Sequence, residues 1–100
     1  MATSAQTRND ILMTLRLQKP NLQREFPLNR LALFGSWARG EQSATSDIDI
    51  LVEVDPSIGL RFVTLADQLE AMLGQKVDLV SRRAIRTEMW DVIELDLIDV

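Results

Sequence analysis

The stretch that decides the fold is Asp47-Ile48-Asp49-Ile50-Leu51-Val52-Glu53-Val54. Successive side chains of a strand point to opposite faces of its sheet. One face of this stretch would carry only aliphatic side chains, which are Ile48, Ile50, Val52 and Val54. The other face would carry Asp47, Asp49, Leu51 and Glu53. We therefore expect a strand over residues 47–54 whose aliphatic face belongs to the core.

Two further strands are predicted, one on each side of this stretch in the chain. Leu31–Phe34 is a compact apolar run, and Lys76–Val80 alternates around the single acid Asp78. Apolar residues at helical spacing over 60–73 predict an amphipathic helix that ends at Gly74, a residue suited to a left-handed cap. A connection of this length allows the second and third strands to run parallel.

The first part of the chain is predicted to be helical. Thr3 and Gln6 have the spacing of a capping box, and the apolar residues that follow predict a first helix over about residues 5–18. Proline is tolerated at the first position of a helix but breaks its interior. Pro20 should therefore end the first helix and begin a short second helix over residues 21–26.

The last part of the chain should add one more helix. Thr87 can cap it, and Leu97–Val100 is either an edge strand or a frayed tail. The whole pattern predicts a single domain over residues 1–100 of the α/β (α+β) class, with helices packed on a small mixed sheet.

Two residue types are absent, because the 100 residues include neither cysteine nor histidine. Thiolate nucleophiles, imidazole bases and the usual zinc sites are therefore excluded. Carboxylates, hydroxyls, lysine, arginine and backbone amides remain, and any metal should be a hard ion such as Mg²⁺. The net charge of −4 argues against direct nucleic-acid binding. No apolar run approaches the roughly 18 residues of a membrane span, so we expect a cytoplasmic protein with no membrane association.

A glycine-rich turn follows the Leu31–Phe34 strand and reads Gly35-Ser36-Trp37-Ala38-Arg39-Gly40. Gly35 allows the backbone to bend and to approach a ligand closely, and Ser36 offers a hydroxyl and an amide near the start of a helical turn. Amides at a helix start attract phosphate. The turn is either a phosphate site or simply a tight turn.

Three aspartates form the second candidate feature. Asp47 and Asp49 lie two residues apart and so share a face of their strand, and Asp78 is the single acid of the next strand. Like charges this close are costly to ionise together unless a cation lies between them. The alternative is a solvated polar face. With a phosphate-suited turn beside them, the three acids suit two-metal phosphoryl or nucleotidyl transfer.

Three segments together closely resemble the minimal nucleotidyltransferases of the DNA polymerase beta-like superfamily. These segments are Gly35-Ser36-x-Ala38-Arg39-Gly40-Glu41, Ser46-Asp47-Ile48-Asp49-Ile50-Leu51-Val52 and Val77-Asp78-Leu79-Val80. The resemblance covers nearly the whole chain and implies the polymerase beta-like nucleotidyltransferase fold. It also implies that Gly35 and Ser36 hold the triphosphate of ATP.

The same resemblance implies the catalytic and metal-binding residues. Asp47 and Asp49 would ligate two Mg²⁺ ions, and Asp78 would complete the metal site and help to activate the acceptor hydroxyl. Arg39 of the motif either reaches the phosphates of the nucleotide or braces the loop.

Stand-alone domains of this size resemble the MntA-type antitoxins, whose partner is a HEPN-domain toxin with ribonuclease activity. Such an antitoxin moves AMP from ATP onto a tyrosine hydroxyl of the toxin and so neutralises it. Two other functions stay open at this point. The chain could neutralise a toxin by binding alone, with a vestigial site, or could transfer nucleotides to a small molecule or an RNA end.

Several other side chains have more than one interpretation. Trp37 either stacks on adenine or packs against the protein, and Trp90 with Met89 belongs to the core or to an interface. A basic cluster after the third strand comprises Arg82, Arg83 and Arg86. It either steers ATP, contacts an acidic partner or is a solvated loop. Lys76 shares a face with Asp78 and could touch phosphate, or is surface charge.

Overall fold

The computed structural model describes residues 6–100, which form four helices and four strands. In chain order they are α1 (Arg8–Glu25), β1 (Leu28–Phe34), α2 (Gly35–Arg39), β2 (Ile48–Val54), α3 (Arg61–Leu73), β3 (Val77–Ser81), α4 (Thr87–Ile93) and β4 (Ile98–Asp99). Short 3-10 turns lie at Pro56–Ile58, Arg82–Ala84 and Glu94–Asp96. None of the helices in this part of the chain is both long and apolar enough to cross a membrane.

The four strands form one mixed sheet in the order β3-β2-β1-β4. β2 and β3 run parallel, joined through α3, whereas β1 pairs antiparallel with β2 and with β4. The parallel crossover and the mixed sheet are confirmed, and the end of the chain forms an edge strand rather than a frayed tail. In this register Asp49 lies opposite Phe34 on β1 and opposite Asp78 on β3.

The N-terminal region differs from the sequence prediction. α1 is one continuous helix that contains Pro20, so the predicted break into two helices is wrong. Leu15 and Leu22 are both fully buried on either side of Pro20, and this packing outweighs the loss of one backbone hydrogen bond at an exposed position. The capping box is formed by Thr7 with Asp10. The predicted box began at Thr3, which lies outside the described residues.

The main core lies on the face of the sheet that packs against α1 and α3. The aliphatic face of β2 enters this core as predicted, and its buried members are Ile48, Ile50, Val52 and Val54. The opposite face carries the acids Asp49 and Asp78 and, next to them, a smaller apolar cluster, which consists of Ala32, Phe34, Leu51 and Ile93. α4 covers this second cluster, which explains why Leu51 is buried although it shares a face with Asp49.

Candidate active site

The glycine-rich turn forms the short helix α2 directly after β1. Gly35 opens the helix with φ +75°, and Gly40 ends it with φ +72° in the left-handed region. The predicted strand, glycine and helical turn are therefore present. Ser36, in the first turn of α2, is half-buried beside Gly35.

Gly35 lies against the carboxylate of Asp49. A Cβ atom added to Gly35 would be 2.0 Å from Asp49 Oδ2, far inside any permitted contact. A Cβ added to Gly40 would meet nothing within 4 Å, although the two glycines have nearly the same φ. Gly35 is thus required for space as well as for backbone conformation. Its close approach places the phosphate-suited turn beside Asp49.

The acids of β2 and β3 are neighbours, as the sequence predicted. Burial, together with the negative charges of Asp78 and Asp47, raises the pKa of Asp49 from 3.8 to about 6. The positive charge of Arg39 partly opposes this rise. The ionised form of Asp49 is therefore destabilised in the free chain, and a bound cation would relieve that cost.

Asp47 lies immediately before β2 and is exposed, at the end of the loop that follows α2. Trp37 fixes this loop, because its Nε1 donates a hydrogen bond to the carbonyl oxygen of Ser46 at 3.3 Å. The indole is only 4% exposed and belongs to the main core. Of the two interpretations of Trp37, packing is therefore the one that the structure supports.

Arg39 is held by two carboxylates rather than pointing freely at the turn. Its Nε lies 2.6 Å from Glu41 Oε1, and its Nη1 lies 2.7 Å from Asp96 Oδ2. The second ion pair joins α2 to the turn that follows α4. This arrangement favours the bracing role, while a contact of Arg39 with the nucleotide stays a prediction.

The remaining basic candidates separate into two groups. The guanidinium of Arg82 lies 3.9 Å from the ring centre of Trp90, with which it makes a cation–π contact. Arg83, Arg86 and Lys76 are exposed. Arg82 therefore packs on α4, which makes it a structural part of the second cluster rather than a solvated charge.

A cavity of about 400 Å³ lies beside Asp78, between the sheet and α4. Phe34 and Val80 form its apolar floor, and Arg86 and Met89 lie at its α4 side. No sequence pattern predicts this cavity, because its walls come from β1, β3, the turn after β3 and α4. A larger hollow of about 530 Å³ lies near Val54 and Ser81, at the other end of β2 and β3, and contains none of the three aspartates.

The donor set suits a hard divalent cation, since it consists of carboxylates only. Among residues 6–100, however, no three acidic side chains converge closely enough to hold a metal ion as they stand. Asp47 and Asp78 are exposed, whereas Asp49 is half-buried against Gly35. The residues fit Mg²⁺ by chemical type and by position, since Asp49 lies opposite Asp78 in the sheet and Asp47 lies two residues before Asp49.

Comparison with known sequences gives a match to the model of the nucleotidyltransferase domain over residues 15–99. A protein of Methanocaldococcus jannaschii is 42% identical over 99 residues, which cover 94% of this chain and 98% of that protein. The protein adenylyltransferase MntA of Thermococcus cleftensis is 39% identical over 83 residues, covering 81% of this chain and 83% of MntA.

Three solved structures share the fold. One described as a minimal nucleotidyltransferase has a TM-score of 0.81 at 28% identity and covers 98% of this chain and 100% of its own. A toxin–antitoxin structure with AMP-PNP has a TM-score of 0.66 at 30% identity, with coverages of 94% and 72%. A complex of the tri-AMPylated Shewanella oneidensis HEPN toxin with its MNT antitoxin has a TM-score of 0.57 at 28% identity, with coverages of 92% and 66%.

Proposed function

The chain belongs to the nucleotidyltransferase domain family, and from that premise we propose that it is an antitoxin that transfers AMP from ATP to a protein. The acceptor is a tyrosine hydroxyl of a HEPN-domain ribonuclease toxin, which the transfer neutralises. The observation that carries the proposal is the contact of Gly35 with Asp49, because it joins a phosphate-suited turn to neighbouring carboxylates.

The comparisons support the choice of nucleotide and acceptor. The relative from Thermococcus cleftensis is named a protein adenylyltransferase. One structural neighbour is a toxin–antitoxin structure with the ATP analogue AMP-PNP, and another contains an AMPylated HEPN toxin.

Within this site the chain binds and orients the substrates. The turn at Gly35 and Ser36 holds the triphosphate, and Arg39 keeps α2 in place through Asp96. Asp78 accepts the proton of the acceptor hydroxyl, whose oxygen then bonds to the α-phosphorus while the bond to pyrophosphate breaks. Positioning and fixed charge supply most of the rate in such transfers.

Two Mg²⁺ ions would be held by Asp47 and Asp49 with Asp78. When bound, they supply the positive charge that offsets the charge of the triphosphate. The raised pKa of Asp49 supports this assignment, because it reports a carboxylate whose charge lacks compensation in the free chain.

The test uses Asp47→Asn with Asp49→Asn and measures the mass of the purified HEPN-domain protein of the same organism after incubation with ATP and Mg²⁺. We expect one or more AMP units with the wild type and none with the double variant. Asp67→Asn, an exposed acid on α3, is the matched control and should retain full activity.

Two results would contradict the proposal. Full transfer by the double variant would refute the role of the acids. Neutralisation of the toxin that needs neither ATP nor the acids, without a change in the toxin's mass, would indicate neutralisation by binding alone.

A further inference from the structure

Three apolar side chains are exposed together on α4 and the turn that follows it. They are Met89, Val92 and Leu95, with exposed fractions of 57%, 62% and 84%. A carboxylate directly precedes each of them in the chain, namely Glu88, Asp91 and Glu94. None of these carboxylates forms an ion pair within residues 6–100. We call these six residues the α4 surface.

The α4 surface is held firmly from behind. Ile93 is buried in the second cluster, and Trp90 packs there with Arg82 stacked on its ring. Arg30 approaches the same ring at 5.8 Å and is itself paired with Asp99 and Glu53. A surface fixed in this way loses little conformational entropy when it is covered, which favours binding.

The α4 surface is continuous with the catalytic region. Met89 lines the cavity of about 400 Å³ that also contains Asp78. A protein that brings a hydroxyl to Asp78 through this cavity would contact Met89 and cover α4. Other exposed apolar residues of the described chain, such as Met13 and Leu17 on α1, do not line this cavity.

We propose that the α4 surface is the docking site for the protein acceptor, and that the acceptor meets it with an apolar groove bordered by basic side chains. This inference rests on the proposed function for the identity of the acceptor. Apolar residues at the centre with charges around them are typical of protein interfaces, and opposite charges across them accelerate association. Met89, Val92 and Leu95 would form only the centre of such an interface. The whole interface should bury more than about 1,000 Å² of accessible surface.

The first test replaces the apolar side chains. Leu95→Asp and Val92→Asp should each weaken binding of the purified HEPN-domain protein of the same organism at least tenfold, measured by calorimetry. Binding of AMP-PNP should stay unchanged, which reports an intact fold and site. Leu17→Asp on α1 is the matched control, with a similar exposed fraction of 73%, and should bind the partner normally.

The second test reverses the charges. Glu88→Lys with Asp91→Lys should slow association with the same partner several-fold and should reduce the dependence of the association rate on salt. Asp67→Lys on α3 makes half as large a change in charge on another element and should have little effect.

The outcomes separate this inference from the proposed function. Weakened binding in both α4 variants supports the docking site even if no AMP is transferred, a result that would refute only the enzymatic proposal. Normal binding and transfer by both variants would overturn the docking site and leave the enzyme intact. A free chain that is a dimer in solution, and becomes a monomer with Leu95→Asp, would also overturn it, because a second copy would then cover α4.

Discussion

Replacing Asp49 by asparagine should stabilise the metal-free chain at neutral pH. An aspartate has an ordinary pKa of 3.8, whereas burial and the charges of Asp78 and Asp47 raise the pKa of Asp49 to about 6 in the folded chain. Well below pH 3.8 the carboxyl is protonated in both the folded and the unfolded state and adds no cost. Between pH 4 and pH 6 the unfolded chain loses its proton first, so the folded chain is progressively destabilised. Asparagine avoids this cost because it carries no charge.

The magnitude follows from the two pKa values. The difference between 3.8 and about 6 corresponds to about 3 kcal/mol, at about 1.36 kcal/mol per pKa unit. Asp49 is only partly buried, so solvent screening reduces the expected gain to about 1 kcal/mol. A change of this size is readily measured in a domain of this length.

Urea denaturation in the presence of a chelator, at pH 4 and at pH 7.5, provides the measurement. The free energy of unfolding of Asp49→Asn should exceed that of the wild type at pH 7.5, and the excess should be much smaller at pH 4. Asp67→Asn should differ little from the wild type at either pH. A gain of the same size at both pH values, or a loss at pH 7.5, would refute the reasoning that the buried charge carries the cost.

Further substitutions test other parts of the site. Gly35→Ala and Gly40→Ala should share a strain of about 1 kcal/mol from their left-handed backbone, but only Gly35→Ala should also displace the Asp49 carboxylate and abolish AMP transfer. Equal activity of the two alanine variants would contradict this. Trp37→Phe should lower the free energy of unfolding by about 1 kcal/mol, because it removes the hydrogen bond to Ser46. The preference for ATP over GTP should stay unchanged. A changed preference in competition assays would indicate base stacking instead. Arg39→Met and Asp96→Asn should reduce kcat alike, and the double variant no further; additive losses would show that Arg39 acts on the nucleotide directly.

The sequence predicts the features that depend on local periodicity. The alternation of aliphatic and acidic residues over 48–54 is enough to assign both faces of β2, because the side-chain period of a strand is two. The length of the α3 connection also predicts the parallel pairing of β2 and β3, and with it the approach of Asp78 to Asp49. The sequence therefore predicts the proximity of Asp49 and Asp78, whereas the catalytic role of the three acids stays a prediction.

Other features depend on residues far apart in the chain. The ion pair of Arg39 with Asp96 joins positions 57 residues apart, and neither position has a pattern that identifies its partner. α1 continues through Pro20 because both halves of the helix are packed against the core. Local helix propensities carry no information about this packing. The cavity beside Asp78 exists only because the turn after β3 returns α4 to the sheet. Tertiary packing decides each of these.

The placement of Asp49 between two fully buried isoleucines, Ile48 and Ile50, limits how this gene can change. Inserting or deleting one codon within β2 would turn the isoleucines toward solvent and the carboxylate into the core, since a shift by one residue exchanges the two faces of a strand. Such an error removes the core and the catalytic group together. Evolution can therefore tune this site by substitution, but a change of length has to be accommodated in the loops, such as residues 41–46 before the strand.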